Sequence, residues 1–260
     1  SSRSSASAAF DVSTGAGSDV INLASAGASS VDAGLGDDKV ILNRQTSDHT
    51  SIDGGEGSDW LLFVDGAYTY ELNTGVTSGF ENVRAGTGDD LITGDSNNNI
   101  IVGDAGADTL VGGDGDDALY GYRFFSDHYV NSSYTDGNDR LSGGLGDDSL
   151  VGSHGDDILD GGKGADTLTG DGAFENYSHE TSNVAGADTF VLRLGDGGST
   201  LADADTITDF QDGTDVIGMD DGLLFTDLRV AQGTGGNSND TLVSITATGE
   251  YLAIVEGINA

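Results

Sequence analysis

Aspartate recurs in this chain at a spacing suited to metal ligation. In GGLGDDSLV (143–151), GSHGDDILD (152–160) and GGKGADTLT (161–169), places one and four are Gly, place six is Asp148, Asp157 or Asp166, and place eight is Leu. The register runs backward through AGTGDDLIT (85–93), GDSNNNIIV (94–102), GDAGADTLV (103–111) and GGDGDDALY (112–120). It runs forward through DGNDRLS (136–142) and AGADTFV (185–191), so place six also holds Asp90, Asn99, Asp108, Asp117, Asp139 and Asp188. Carboxylates set among glycine-rich turns are the raw material of an oxygen-ligand cation site. The residues for other chemistries are missing: there is no Gly-x-Ser-x-Gly elbow, no HExxH, no Cys and no phosphate-cradling loop followed by Lys.

The composition agrees that these acids are there for position. Of the 45 acidic residues 38 are Asp and 7 are Glu, against 9 Lys and Arg, for a formal net charge of -36. A surface charged only for solubility would use Glu freely, whereas Asp suits turns and ligand sites. So few cations exclude a nucleic-acid surface. Absence of Cys excludes disulfides and thiolate metal sites. No apolar run reaches membrane-spanning length, and SSRSSASAAF (1–10) has no signal-peptide core. Without a counterion, such low hydrophobicity and high charge would read as disorder.

The elements that must position the aspartates follow from one unit. Glycines at places one, two and four allow positive φ and close backbone approach, so six residues make a tight turn. Places seven to nine make a short strand with place eight turned inward. Stacked units bury what one cannot, giving a solenoid core of Leu110, Leu119, Leu141, Leu150, Leu159, Leu168 and Phe190. Successive turns lie on opposite edges. One edge then carries Asp90, Asp108, Asp139, Asp157 and Asp188, and the other Asn99, Asp117, Asp148 and Asp166. Levels about 4.8 Å apart would force these carboxylates together, and a hard cation between levels relieves it. Calcium, with six to eight oxygen ligands, suits such a site better than magnesium. Diluted copies precede the regular array: GAGSDVI (15–21), AGLGDDKVI (33–41) and GGEGSDWLL (54–62), with Asp19, Asp38 and Asp59 in the same role. Their spacing of about two nonapeptides predicts coils with one metal-type turn and one ordinary turn.

The pattern Gly-Gly-x-Gly-x-Asp-x-aliphatic-x resembles the RTX, or haemolysin-type, calcium-binding repeat, strongly over 85–191 and weakly over 15–62. The resemblance implies an all-β fold: a parallel β-roll, that is, a two-sheet right-handed solenoid of nonapeptide repeats, with a C-terminal β capping segment. It implies degenerate coils over 10–84, the regular roll over 85–191, and a cap with a secretion-signal region over 192–260. Implied ligands are the place-six aspartates and the turn carbonyls of Gly86, Gly88, Gly113, Gly115, Gly144, Gly146, Gly162 and Gly164. In DADTITDFQDGTDVIGM (203–219), Asp203, Asp205, Asp209 and Asp215 are expected to bind a last calcium. The expected load is roughly eight to ten calcium ions. Asn99 and Asn97 depart from the pattern, so a site there is expected to be weak or empty. NDTLVSITATGEYLAIVEGINA (239–260) alternates polar and apolar residues and predicts a terminal hairpin cap.

Two insertions of 13 residues interrupt the register, RFFSDHYVNSSYT (123–135) and GAFENYSHETSNV (172–184). Their aromatic residues Phe124, Phe125, Tyr129, Phe174 and Tyr177 suit a contact surface for sugar or protein, or loops folded back over the roll. His128 and His179 lack the partner spacing of a transition-metal site. Trp60 is expected to face outward on a strand and His154 to sit in a loop. Ile100, Val102, Ala118, Tyr120 and Val151 make one outer face apolar, suited to dock an insertion or a second copy.

Two readings of function follow, neither catalytic. The first is a secreted or cell-surface calcium-binding protein of surface-layer or adhesin type, which folds on extracellular calcium, with assembly on the same ion as a further option. The second is the C-terminal export and folding module of a larger secreted protease, lipase or polysaccharide-modifying enzyme. Both imply the type I secretion apparatus as a partner, and self-association or cell-surface polysaccharide are further candidates.

Overall fold

The computed structural model describes residues 11–23, 30–42, 50–64, 66–122, 136–171 and 186–260. Both insertions lie outside the described residues, and with them Phe124, Phe125, Tyr129, Phe174, Tyr177, His128 and His179. The described chain is all-β, with short 3-10 turns at 201–203, 225–227 and 235–237 and no helix long and apolar enough to cross a membrane.

Short strands alternate between the two faces of the roll because each nonapeptide supplies one turn and one strand. The longer sheet stacks Val20–Leu23, Lys39–Leu42, Trp60–Phe63, Asn82–Thr87, Ile100–Ala105, Ala118–Tyr120, Ser149–Val151, Thr167–Thr169 and Asp205–Ile207 in parallel. Tyr251–Val255 then pairs parallel to the last of these, and Thr241–Ile245 and Leu228–Gln232 follow antiparallel. Opposite lie two shorter sheets. One holds Asp11–Ser13, Ser30–Asp32, Ser51–Asp53 and Thr77–Ser78; the other runs from Thr69–Glu71 to Val216–Met219.

The pairing registers match place eight with place eight. Ile92 faces Leu110, Leu110 faces Leu141, and Leu141 faces Leu159; across the core Ile101, Leu119, Leu150 and Leu168 do the same. All seven core residues expected from the repeat are fully buried. The N-terminal coils bury Val31, Val40, Ile52 and Leu61 in the same continuous core.

Where the two shorter sheets meet, aromatic residues fill the gap. Phe63 stacks on Tyr68 with ring centroids 4.5 Å apart and meets the edge of Tyr70 at 5.3 Å. The Tyr70 hydroxyl hydrogen-bonds Thr77 Oγ1 at 2.8 Å, joining a strand of one sheet to a strand of the other. At the C-terminal end, Leu252, Ala253 and Val255 close the core over Ile207.

The glycines divide their work more sharply than the sequence suggests. Places two and four take the positive φ, as at Gly144 (122°) and Gly146 (127°), while Gly143 at place one does not. A Cβ on Gly143 would lie 2.2 Å from Asp148 Oδ2 and 2.5 Å from the Gly161 carbonyl of the next coil. At Gly143 the carboxylate occupies the space a side chain would need, whereas the unit of Asp90 carries Ala85 at that place.

Of the apolar outer face, Val102 is fully buried, and Ile100, Ala118, Tyr120 and Val151 are half-buried. Trp60 is half-buried on its strand, and His154 is half-buried in a turn.

Candidate metal centre: two ladders of stacked carboxylates

Each place-six aspartate ends a turn and immediately precedes a strand, so strand pairing brings it directly above its counterpart one coil away. On one edge, the N–H of Asp90 donates to Oδ1 of Asp108 at 2.8 Å, Asp108 to Asp139 at 2.8 Å, Asp139 to Asp157 at 2.7 Å and Asp157 to Asp188 at 2.9 Å. On the other, Asn99 donates to Asp117, Asp117 to Asp148 and Asp148 to Asp166. Steps are 18 residues, or 31 where an insertion of 13 intervenes. The weak N-terminal copies join the second edge, with Asp19 donating to Asp38 and Asp38 to Asp59.

Three rungs were not expected. Glu81 occupies the level after Asp59, whose N–H donates to its Oε2 at 2.8 Å. Its sequence signals are Gly79 two residues before it, at place four of the repeat, and the core aliphatic Val83 two residues after it. Asp205 and Asp215 extend opposite ladders, accepting from Asp166 at 3.1 Å and Asp188 at 3.0 Å. The four C-terminal aspartates expected to share one ion therefore do not converge. Asp203 caps its 3-10 turn through Thr200, and both oxygens of Asp209 are taken by the N–H groups of Gly170 and Asp171.

The second carboxylate oxygen distinguishes these ladders from ordinary hydrogen bonding. Oδ2 of Asp19, Asp38, Asp59, Asp90, Asp108, Asp117, Asp139, Asp148, Asp157, Asp166 and Asp188 is buried without a hydrogen-bond partner. Buried polar atoms are otherwise satisfied almost everywhere in proteins, and a buried unpaired charge costs several kcal/mol. Burial first, and neighbouring carboxylates second, push Asp117 up to about 7 and Asp139, beside Asp136, up to about 10. In Asp108, Asp157 and Asp188, also at about 7, the same two causes act. A row of inward, unpartnered anionic oxygens set against glycines fits a hard cation at each level. Among the described residues no three carboxylates or imidazoles converge on one point. A cation here would therefore take few carboxylates and complete its shell with backbone carbonyls, as a glycine turn permits.

Asp196, absent from the sequence expectation, is also buried with Oδ2 unpartnered, and burial pushes it up to about 6 against the pull of Arg193. Arg193 is itself held by both oxygens of Asp160.

A second ladder runs outside the first. The place-five side chains accept N–H groups from the following coil: Asp89 from Ala107, Asn98 from Asp116, Asp116 from Asp147, Asn138 from Asp156, Asp147 from Ala165 and Asp156 from Ala187, at 2.9–3.1 Å. Asn serves as well as Asp here, and the positions are exposed, so this ladder needs no cation.

The sequence model of the RTX calcium-binding nonapeptide repeat, four copies long, matches residues 76–110, 93–123 and 133–168. No curated protein matches the chain. The matched residues include Asp90, Asp108, Asp117, Asp139, Asp148, Asp157 and Asp166, whose carboxylates stack with unpartnered oxygens, and over them the chain carries RTX calcium-binding repeats of haemolysin type, folded as a β-roll.

Proposed function

We propose that this roll belongs to a secreted or cell-surface protein with a structural role of surface-layer or adhesin type, and that its residues order on extracellular calcium. The observation that carries the reading is the row of eleven buried, unpartnered place-six oxygens. Their ligand sets would be the place-six aspartates with turn carbonyls such as those of Gly113, Gly115, Gly144 and Gly146, for a load of roughly eight to ten ions. Asp205 and Asp209 stand in the same C-terminal region, Asp209 with both oxygens already engaged. Calcium, when bound, supplies the positive charge that the chain's own residues lack.

The chain's residues do the rest. Where calcium is scarce, 45 acids against 9 basic residues hold the chain open, which suits passage through a type I secretion apparatus. Where a ligand of the folded state is abundant, mass action favours the roll. The thin core, one aliphatic residue per nonapeptide, leaves the balance to that ligand. Residues 10–84 serve as the degenerate coils, 85–191 as the main roll, and 192–260 as the cap and export-signal region. The repeat region is structural, and we assign no catalytic role to the chain.

The test is far-UV circular dichroism of the chain through a calcium titration, with magnesium as control and sedimentation of both end states. A cooperative gain of β signal with calcium alone is expected. The same full β signal in excess chelator would overturn the reading.

A further inference from the structure

Resting on the calcium-roll reading and deepening it, the level of Asn99 shows which part of the roll needs no cation. Every other place-six residue from Asp90 to Asp188 keeps a buried oxygen without a partner; Asn99 keeps none. Its Oδ1 accepts the Asp95 N–H at 2.8 Å, and its Nδ2 donates to the Glu81 carbonyl at 3.1 Å and to Asp95 Oδ1 at 3.4 Å. Asp95, where the repeat would place Gly, is the one carboxylate of this turn. Asn97 donates to its Oδ1 through both N–H (2.8 Å) and Nδ2 (2.9 Å), and Asn73 donates to its Oδ2 at 2.9 Å. Asn73 in turn holds Phe80 at both ends, donating to its carbonyl at 2.8 Å and accepting its N–H at 3.0 Å. One negative charge is thus satisfied by amide donors from three asparagines, beside the aromatic packing of Phe63, Tyr68 and Tyr70.

The gap spans both edges of the roll. On the edge of Asn99 the preceding level is Glu81, and on the opposite edge the level before Asp90 is Tyr68, whose N–H donates to Asp90 Oδ1 at 2.6 Å. In a stacked repeat, coupling passes between neighbouring levels. A level that needs no ligand interrupts that coupling without interrupting the sheet, which continues through Asn82–Thr87 and Ile100–Ala105.

We propose that the Asn73–Asp95–Asn99 level takes no cation and acts as a metal-independent joint, dividing the calcium array into an N-terminal set (Asp19, Asp38, Asp59) and a C-terminal set (Asp90 onward) that load separately. Hydrogen exchange of the full chain, followed by mass spectrometry from chelator through rising calcium, tests it. Residues 66–84 and 94–101 are expected to stay protected in chelator while the coils of the two calcium sets exchange. Asp148→Asn is expected to raise the calcium midpoint of the C-terminal coils several-fold and to leave that of residues 11–42 within twofold. Exchange of 66–84 and 94–101 as fast as the coils of the two sets, or a parallel shift of both midpoints, overturns the proposal. As a second variant, Asp95→Gly with Asn97→Gly and Asn99→Asp restores the repeat; it should bind one more calcium by equilibrium dialysis and make the two midpoints move together. An unchanged count overturns the proposal equally. If no segment gains protection with calcium, it is the calcium-roll reading itself that fails.

Discussion

Asp148 and Asp166 stand one above the other, 18 residues apart, with the N–H of the first donating to Oδ1 of the second at 2.8 Å. The residue before Asp148 works in the opposite sense: Asp147 Oδ1 accepts the N–H of Ala165 from the same coil at 2.9 Å. The Asp-Asp pair of a repeat therefore clips its own coil to the next through two backbone bonds of opposite polarity. Only the second residue of the pair keeps a buried oxygen unpartnered.

Neighbouring aspartates should consequently differ sharply on substitution. Asp148→Asn keeps an acceptor for the Asp117 N–H but removes the inward charge, so fewer calcium ions bind and the calcium midpoint rises several-fold. The calcium-free chain, relieved of a buried charge, is expected to be no less structured. Asp147→Ala loses one exposed hydrogen bond, worth about 0.5–1.5 kcal/mol, and leaves calcium stoichiometry unchanged. Calorimetric titration and thermal melting of the two variants check this; equal loss of calcium from both would contradict the division of labour.

The place-one glycine predicts a steric effect that depends on the carboxylate. In Gly143→Ala the new methyl would sit 2.2 Å from Asp148 Oδ2, so the turn must shift, at a cost of about 1–3 kcal/mol. Gly236→Ala, with nothing within 4 Å of its Cβ and no positive φ, is expected to melt like the parent. Melting temperatures in saturating calcium compare the two.

The core offers a third check. Leu150 is fully buried between Leu119 and Leu168, and Leu150→Ala is expected to cost about 2–5 kcal/mol. With so thin a core, that loss should show as a several-fold higher calcium requirement for folding, read by circular dichroism. A midpoint equal to the parent's would mean that the leucine column contributes little to the fold.

The ladders were legible in sequence because a nine-residue period with strands on alternating edges dictates an 18-residue step, and an insertion of 13 merely lengthens it to 31. Asp19, Asp38 and Asp59 were legible for the same reason, although their steps of 19 and 21 residues are irregular. Glu81 was not, since its turn keeps only the place-four glycine, Gly79, and carries Glu where the repeat has Asp. At the C-terminus the order of acids alone suggested one shared ion. Strand pairing instead sends Asp205 and Asp215 to opposite edges, a separation that only the crossover fixes. Asp203 caps its 3-10 turn through Thr200, a role that the order of acids alone does not distinguish from ligation. The outer place-five ladder was missed because its hydrogen bonds run to backbone amides and impose no residue pattern beyond Asx.

Acid and calcium should act on the same oxygens with opposite consequences. Burial, reinforced by neighbouring carboxylates, pushes Asp108, Asp117, Asp157 and Asp188 up to about 7 and Asp90 and Asp148 up to about 6. In the unfolded chain they titrate near about 3.9. Between those values the calcium-free roll binds more protons than the unfolded chain. Its stability is therefore greatest below about pH 4 and falls as pH rises through about 6–7. In chelator, lowering the pH from about 7.5 to about 5.5 is expected to increase β signal, at a pH still above the pI of about 4.1, where the chain keeps net negative charge. In calcium the same acidification makes protons compete with the ion, and the calcium midpoint rises. Circular dichroism at the two pH values, with and without calcium, reads both signs in one experiment. Acid unfolding in chelator would mean that these carboxylates are ionised and satisfied in the metal-free fold, contrary to their burial without partners.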